Sequence, residues 1–332
     1  YARKEVDGIF AGATLDYKQL LTLDATVRRD QSSTLPKDNN SYYYPSVSLN
    51  FQFGQLLKQF SWLSYAKAWG NYAEVGGDAP VFATANTYTP LTPIHGESMF
   101  ATPTTNNNPN LVPEKQKSWE TGIEASFLRE RIGFNVTYYH AQQINQIMPI
   151  SVSTATGFGT FFVNGGTVQN SGFEVGINLT PVRTGNFTWN MNINWSKNMQ
   201  KVISLYNNQP TYVVANYQNS VRLVAEPGKP YQLQGTRYTY NSNGQRLIDD
   251  NGYPVLDPNV YSDLGTPNPD WIGGINNSFK YKNLSLSFLV DMRHGGKVYS
   301  LDMDYGAFSG LYPQTAGKNV NGKPVRGFLS DG

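Results

Sequence analysis

The chain has 332 residues, 26 Lys and Arg against 24 Asp and Glu, a net charge of +2, and no cysteine. This near-neutral balance, with no basic run, leaves nucleic acid unsupported as a partner, and the missing cysteines exclude disulfides and thiolate metal sites. Only 15% of residues are charged while 14% are aromatic; with abundant Asn, Thr, Ser, Gln and Gly, that suits a wall with lipid on one side and water on the other.

The mean hydropathy is negative. No apolar run approaches the roughly 20 residues a membrane helix needs, so a helical membrane protein is excluded. The chain starts at Tyr1 without Met or an export signal and ends at Gly332 in a Gly/Asp-rich stretch. It is therefore expected to be part of a longer polypeptide.

The dominant signal is period-two alternation, which marks strands with two unlike faces. In chain order, Leu21, Leu23, Ala25 and Val27 alternate with Thr22, Asp24, Thr26 and Arg28. Val47, Leu49, Phe51 and Phe53 alternate with Ser and Asn residues, and Trp119, Ile123 and Phe127 with Glu120, Gly122 and Glu124. Ile132, Phe134 and Val136 follow, then Phe173, Val175, Ile177 and Leu179. The clearest run is Phe187, Trp189, Met191, Ile193 and Trp195 against Thr188, Asn190, Asn192, Asn194 and Ser196. Last come Leu284, Leu286, Phe288, Val290 and Met292, with Leu289 breaking the polar face.

These runs and their turn residues predict about ten strands near 6–17, 20–31, 43–54, 61–74, 117–129, 131–147, 170–182, 187–204, 270–282 and 284–297. Such lengths meet the roughly 9–11 residues a tilted strand needs to cross a bilayer. No helix-period segment of useful length is read. Short connections (Lys18-Gln19, Gln55 to Phe60, Glu130, Arg183 to Asn186, Lys282-Asn283) alternate with long ones (32–42, 75–116, 148–169, 205–269). Short turns at one end and long loops at the other describe an outer-membrane barrel. The fold class is thus all-β, an antiparallel transmembrane β-barrel with long extracellular loops. Residues 1–332 read as one partial barrel, within which 205–269 is a long structured extracellular loop. Asn243-Gly244 and Asn251-Gly252 in that loop could each close a small hairpin.

No residue is nominated as catalytic, substrate-binding or metal-binding. Glu120 and Glu124 invite a paired-acid reading, but they sit on the polar face of one strand, where they line a wet lumen. His95, His140 and His294 lack metal-ligand spacing. Asp249-Asp250-Asn251-Gly252 resembles the start of a calcium loop without its later ligands. No phosphate-binding fingerprint is complete, and no cofactor is implied. Tyr206, Tyr212, Tyr217, Tyr231, Tyr238, Tyr240 and Tyr253 could capture a sugar or peptide by stacking and hydrogen bonding, or pack the loop onto itself.

Four segments, in order, resemble the SusC/RagA family of TonB-linked outer-membrane transporters of Bacteroidetes. They are Val27 to Ser33, with its Arg-x-Asp-x-Ser-Ser pattern; Asn108-Pro109-Asn110-Leu111-Val112-Pro113-Glu114 running on to Glu120-Thr121-Gly122-Ile123-Glu124; Asn164 to Glu174; and Thr266 to Gly274 with Arg293-His294-Gly295-Gly296. The segment Trp69 to Gly77 departs from the family pattern, and no role is carried over there. The resemblance implies a barrel of about 22 strands, of which this chain lacks the plug, the TonB box, and the first and last strands. It also implies outer-membrane localisation amid lipid and lipopolysaccharide, energy through TonB, and a SusD-like surface lipoprotein as cap. The expected function is import of an oligosaccharide or peptide, without catalysis. A barrel adhesin or glycan-binding surface protein without import, and a soluble β-rich glycan-binding or glycan-cleaving domain, stay open at this point.

Overall fold

The structure, a computed structural model, describes residues 3–217, 221–259, 261–319 and 321–325. Its contacts divide into two compact units: Tyr1–Tyr212 with Glu226–Pro230 and Pro269–Gly295, and Val213–Ala225 with Tyr231–Asn268 and Gly296–Gly332.

The first unit is built on one ten-stranded sheet whose neighbours follow chain order throughout. The strands are β1 Val6–Tyr17, β2 Leu21–Ser32, β3 Ser41–Phe51, β4 Leu63–Gly77, β5 Glu114–Phe127, β6 Ile132–Ile144, β7 Thr167–Arg183, β8 Phe187–Ser204, β9 Trp271–Tyr281 and β10 Leu284–His294. Every pairing in this sheet is antiparallel. The sheet is open among the described residues, with β1 and β10 at its edges.

Register carries the alternation across the whole sheet. Tyr17, Leu21, Phe51, Ala68, Ile123, Val136, Val175, Trp195, Gly273 and Met292 stand directly opposite one another in a single row. The neighbouring row, on the other face, is Asp16, Thr22, Asn50, Trp69, Gly122, Thr137, Glu174, Ser196, Ile272 and Arg293. A one-residue slip at any pairing would exchange the faces. The first row begins at the short turn in β1 and ends two residues from the far end of β10. That climb is the stagger of strands tilted within a barrel wall.

The apolar face has no second layer on it. In β3, Tyr43, Pro45, Val47, Leu49 and Phe51 are exposed while Tyr42, Tyr44, Ser46, Ser48 and Asn50 are partly covered. In β5, Lys117, Trp119, Thr121 and Ile123 are exposed and Ser118, Glu120, Gly122 and Glu124 partly covered. Phe288 is 48% exposed, and Trp189, Met191 and Ile193 are not buried either. A water-soluble sheet hides its apolar face; β3 and β5 display theirs, and on β8 both faces are open, with Asn192 and Asn194 exposed and Met191 and Ile193 partly covered.

The strands run further toward the long-loop end than the alternation predicts: β4 reaches Gly77, β5 starts at Glu114 and β7 at Thr167. The backbone ladder continues there after the outer face turns polar at Lys117, Lys115 and Gln169, so side-chain period stops marking it. The tight turn Lys18-Gln19 has both residues at positive φ, 54° and 55°, which matches the right-handed twist of a hairpin. Asp16 Oδ1 accepts Gln19 N–H at 2.9 Å and steadies it.

The long connections contain elements that alternation does not reveal. Thr89–Ile94 pairs with Glu97–Ala101, and Ile147–Ser151 with Thr160–Asn164. The second unit carries a small sheet of Tyr212–Tyr217, Val221–Ala225, Gln232–Gly235 and Ser262–Gly265. Its two predicted turns form: Gly244 N–H donates to Asn241 O and Gly252 N–H to Asp249 O. They link the paired bridges Tyr240–Arg246 and Ile248–Pro254. This unit also holds a nine-residue helix, Leu301–Ser309, where no helix was expected. Nine residues are too few for a period to stand out, and the readable signals are its caps: Ser300 Oγ accepts Met303 N–H at 3.2 Å, and Gly310 closes the end at φ 79°. No helix among the described residues is long and apolar enough to cross a membrane.

Candidate functional site

The polar face of the sheet is built mainly from amides and carboxylates held in ladders between strands. Asn71 on β4 donates its side-chain N–H to Glu120 Oε2 on β5 at 3.4 Å. Lys67 Nζ lies 3.0 Å from Glu124 Oε2 and 5.2 Å from the Trp69 ring centroid. The Trp69 ring lies over Gly122, where a Cβ would collide with it. Tyr139 OH donates to Asn198 Oδ1 at 3.0 Å, and Asn198 Nδ2 donates to Asn170 Oδ1 at 3.1 Å. Glu120 and Glu124 are four residues apart along one strand, about 13 Å at the usual rise, beyond the roughly 5–9.5 Å of a hydrolytic carboxylate pair. The arrangement offers hydrogen bonds, aromatic rings at Trp69 and Tyr139, and an ion pair to whatever faces it.

Sequence reasoning assigned no role to the Trp69 segment, although Lys67 and Trp69 are the most chemically distinctive pair on this face. The signal that could have found them is Gly122. A glycine between two glutamates on the covered face of a strand makes room for a ring from the next strand.

At the long-loop end, the family-like motifs act as fasteners. Leu111 is fully enclosed, with Leu35, Ala79 and Ala83 buried around it and Tyr42, Ile147 and Phe162 packed against them. Asn164 Nδ2 donates to Val112 O at 2.7 Å, while Asn164 Oδ1 accepts Val112 N–H at 2.8 Å. The amide thus imitates a strand partner across 52 residues of chain. Asn108 Nδ2 donates to Phe162 O at 3.0 Å, and Glu114 Oε1 accepts Ile147 N–H at 2.6 Å. In the earlier motif, Ser32 is fully buried and donates to Asp78 Oδ2 at 2.7 Å, and Asp78 also takes Lys4 Nζ at 2.7 Å. Burial pushes the Asp78 carboxyl up, but those hydrogen bonds outweigh it and hold the group below its ordinary value. Arg28 Nε reaches Asp30 Oδ1 at 2.7 Å, and Tyr44 OH donates to the same carboxylate.

The remaining candidates are scattered. His95 caps the turn of the 89–101 hairpin at φ 50°. His140 stacks on Trp119 at 5.7 Å, and His294 on Trp271 at 5.6 Å, with Nδ1 of His294 3.3 Å from Asp270 Oδ2. Asp249 Oδ1 is occupied by the backbone N–H groups of Asn251 and Tyr253, both at 2.9 Å. Among the described residues, no three His, Asp or Glu gather as metal ligands would.

The loop tyrosines do not converge on one site. Tyr206 packs on Gly165, Tyr212 OH donates to Pro149 O at 3.0 Å and Tyr253 OH to Pro324 O at 3.1 Å. Tyr217 stacks beside Tyr299, Tyr238 lies under Arg246, and Tyr231 is buried enough that its hydroxyl is pushed up. Tyr240 is left 53% exposed.

Comparison with known proteins agrees with this architecture. The chain is 26% identical over 333 residues to the TonB-dependent receptor SusC of Bacteroides thetaiotaomicron, covering 90% of this chain and 32% of that protein. It is 25% identical over 327 residues to TonB-dependent receptor P26 of Formosa agariphila, covering 91% and 33% respectively. Among solved structures, the RagAB peptide importer in its closed-closed state superposes with a TM-score of 0.79 at 18% identity, over 96% of this chain and 36% of that one. At that identity the likeness establishes the fold. The chain spans about a third of the length of the curated relatives it matches. Residues 1–322 match the family described as TonB dependent receptor-like, beta-barrel, and this chain belongs to that family.

Proposed function

We propose that this chain supplies wall, lumen surface and outer loops to an importer that carries an oligosaccharide or peptide across the bacterial outer membrane with energy from TonB. The observation that carries the reading is the exposure of large apolar side chains on strands whose backbones are paired on both sides: Val47, Leu49 and Phe51 on β3 and Trp119 and Ile123 on β5 are exposed, while the polar residues between them are partly covered. In water, each such large apolar side chain, 36–44% exposed, would forgo less than half of the roughly 1.5–3 kcal/mol that full burial gives. Acyl chains remove that cost.

The long-loop end, including residues 205–269, faces the cell exterior in this reading. There it meets a SusD-like surface lipoprotein and traps the ligand. TonB acts through an N-terminal segment and plug of the full protein, as the family resemblance implies. Binding is the only chemistry required, and differential affinity between open and closed loop states gates the path. Glu120, Glu124, Lys67 and Trp69 serve as lumen contacts, not as reacting groups.

Two measurements test the proposal. Alkaline washing should leave the protein in the membrane fraction, and detergent should release it; release by alkali alone contradicts the barrel reading. Uptake of labelled oligosaccharide or peptide by cells should be lost when either this protein or TonB is deleted. Unchanged uptake with loss of surface binding would favour an adhesin.

A further inference from the structure

We infer that Asn243 is a site of spontaneous covalent modification, where the side-chain amide is lost to a cyclic imide that opens to aspartate and isoaspartate. Four Asn-Gly pairs occur in the chain: Asn164-Gly165, Asn243-Gly244, Asn251-Gly252 and Asn321-Gly322. A glycine after asparagine leaves the attacking backbone nitrogen unshielded, since it carries no side chain. The fold restrains three of these pairs and leaves one open.

Three of the four sit in copies of one turn. In the five-residue runs that begin at Asn241, Asp249 and Asn319, the first residue's Oδ1 accepts the backbone N–H groups two and four residues on, at 2.9–3.0 Å throughout. Each glycine N–H donates to the first residue's carbonyl, at 3.0 Å for Gly244 and 2.9 Å for Gly252 and Gly322. The glycine φ angles are 76°, 85° and 76° in the same order. Backbone geometry therefore makes the three pairs equals. What holds the asparagine side chain separates them.

Asn164 is tied at both ends, Nδ2 to Val112 O and Asn145 O and Oδ1 to Val112 N–H. Asn251 Oδ1 accepts Lys323 Nζ, and Gly252 is buried under the Asn319 amide, which lies 2.8 Å from where a Cβ would stand. Asn321 Nδ2 donates to Asp250 O at 2.9 Å. Asn243 differs on every count. It is exposed, its side chain has no hydrogen-bond partner among the described residues, and nothing lies within 4 Å of a Cβ placed on Gly244.

That freedom is what the reaction needs, because Cγ must turn to meet the Gly244 nitrogen. The nitrogen gives its proton to hydroxide and bonds to Cγ. The Cγ–Nδ2 bond breaks, and Nδ2 takes a proton from water and leaves as ammonia. Water then opens the imide. Attack at Cγ restores the ordinary backbone as aspartate; attack at the backbone carbonyl leaves the chain running through the side chain as isoaspartate. Both products put a carboxylate on the turn. Isoaspartate also moves the Gln245 N–H away from Asn241 Oδ1 and so loosens the Tyr240–Arg246 bridge.

The test incubates the intact, detergent-purified protein in mildly alkaline heavy-oxygen water and follows the four pairs by peptide mass spectrometry, counting heavy oxygen gained at each asparagine. Asn243 should convert about five- to tenfold faster than the other three, the factor in rate that one net hydrogen bond represents. In concentrated urea, where the side-chain tethers are gone, the four rates should converge. Conversion at Asn243 no faster than at Asn164, Asn251 or Asn321 overturns the site. An order that survives in urea overturns it too, because neighbouring sequence and not the fold would then set the rates. Neither result touches the importer reading, which stands on the sheet.

Discussion

In the wall of the sheet, Val47, Leu49 and Phe51 touch no second layer, yet their backbones are paired on both sides. At the long-loop end of the same unit, Leu111 is enclosed by Leu35, Ala79 and Ala83, and asparagine side chains tie the loops to backbone groups up to 72 residues away. The wall thus has ladders without a core, and the loops have a core with few ladders. The wall can dispense with a core because lipid provides the apolar surroundings and pairing between neighbouring strands provides what lipid cannot, hydrogen bonds. The loops stand in water, so they must make a small interior of their own.

This contrast can be broken most sharply inside the wall. Ile193→Arg puts a charge mid-band on the lipid face and should destabilise the assembled barrel by about 2–4 kcal/mol. Asn194→Arg, one residue away on the polar face, should cost little. Urea unfolding in lipid vesicles reads both; equal losses would mean the two faces see the same solvent. Within the loops, Leu111→Ala should cost about 2–3 kcal/mol of local stability by opening a cavity. Hydrogen exchange should then quicken in 78–113 while β8 is unchanged. Asn164→Ala leaves the Val112 amide and carbonyl without their partner and should cost about 1–2 kcal/mol, again seen as exchange in the loops alone.

A smaller effect is expected in the second unit. The Asn259 backbone N–H, together with Arg237, lowers the Asp257 carboxyl to about 2. A depressed folded-state value means that the contact stabilises above the ordinary carboxylate range and is lost as pH falls toward 2. Nuclear magnetic resonance titration of Asp257 should show it ionised at pH 3, and Asp257→Asn should abolish the acid-linked loosening of the 237–257 bridge.

The wall was legible because its period is two and its registers are consecutive, so Phe187 to Trp195 announce both faces. Legibility stopped at Lys117 and Gln169, where the outer face leaves lipid and the ladder runs on beneath polar side chains. The Asn108 to Glu114 motif was visible as a pattern, but its task was not, because Asn164 meets Val112 only after folding. Lys67 and Trp69 were missed for the same reason: their partners, Glu124 and Gly122, lie on the next strand. The helix Leu301–Ser309 escaped because it has caps but too few turns for a period.

The account's central claim is that the two faces of the wall meet different solvents, and single-tryptophan quenching tests it most directly. With the other five of the six tryptophans replaced by Phe, the protein is reconstituted in vesicles of brominated lipid. The account predicts strong quenching of Trp189 by bromine and little quenching of Trp69, which should respond instead to a water-soluble quencher. Equal response of both residues to the lipid, or protection of Trp189 from it, would contradict the account.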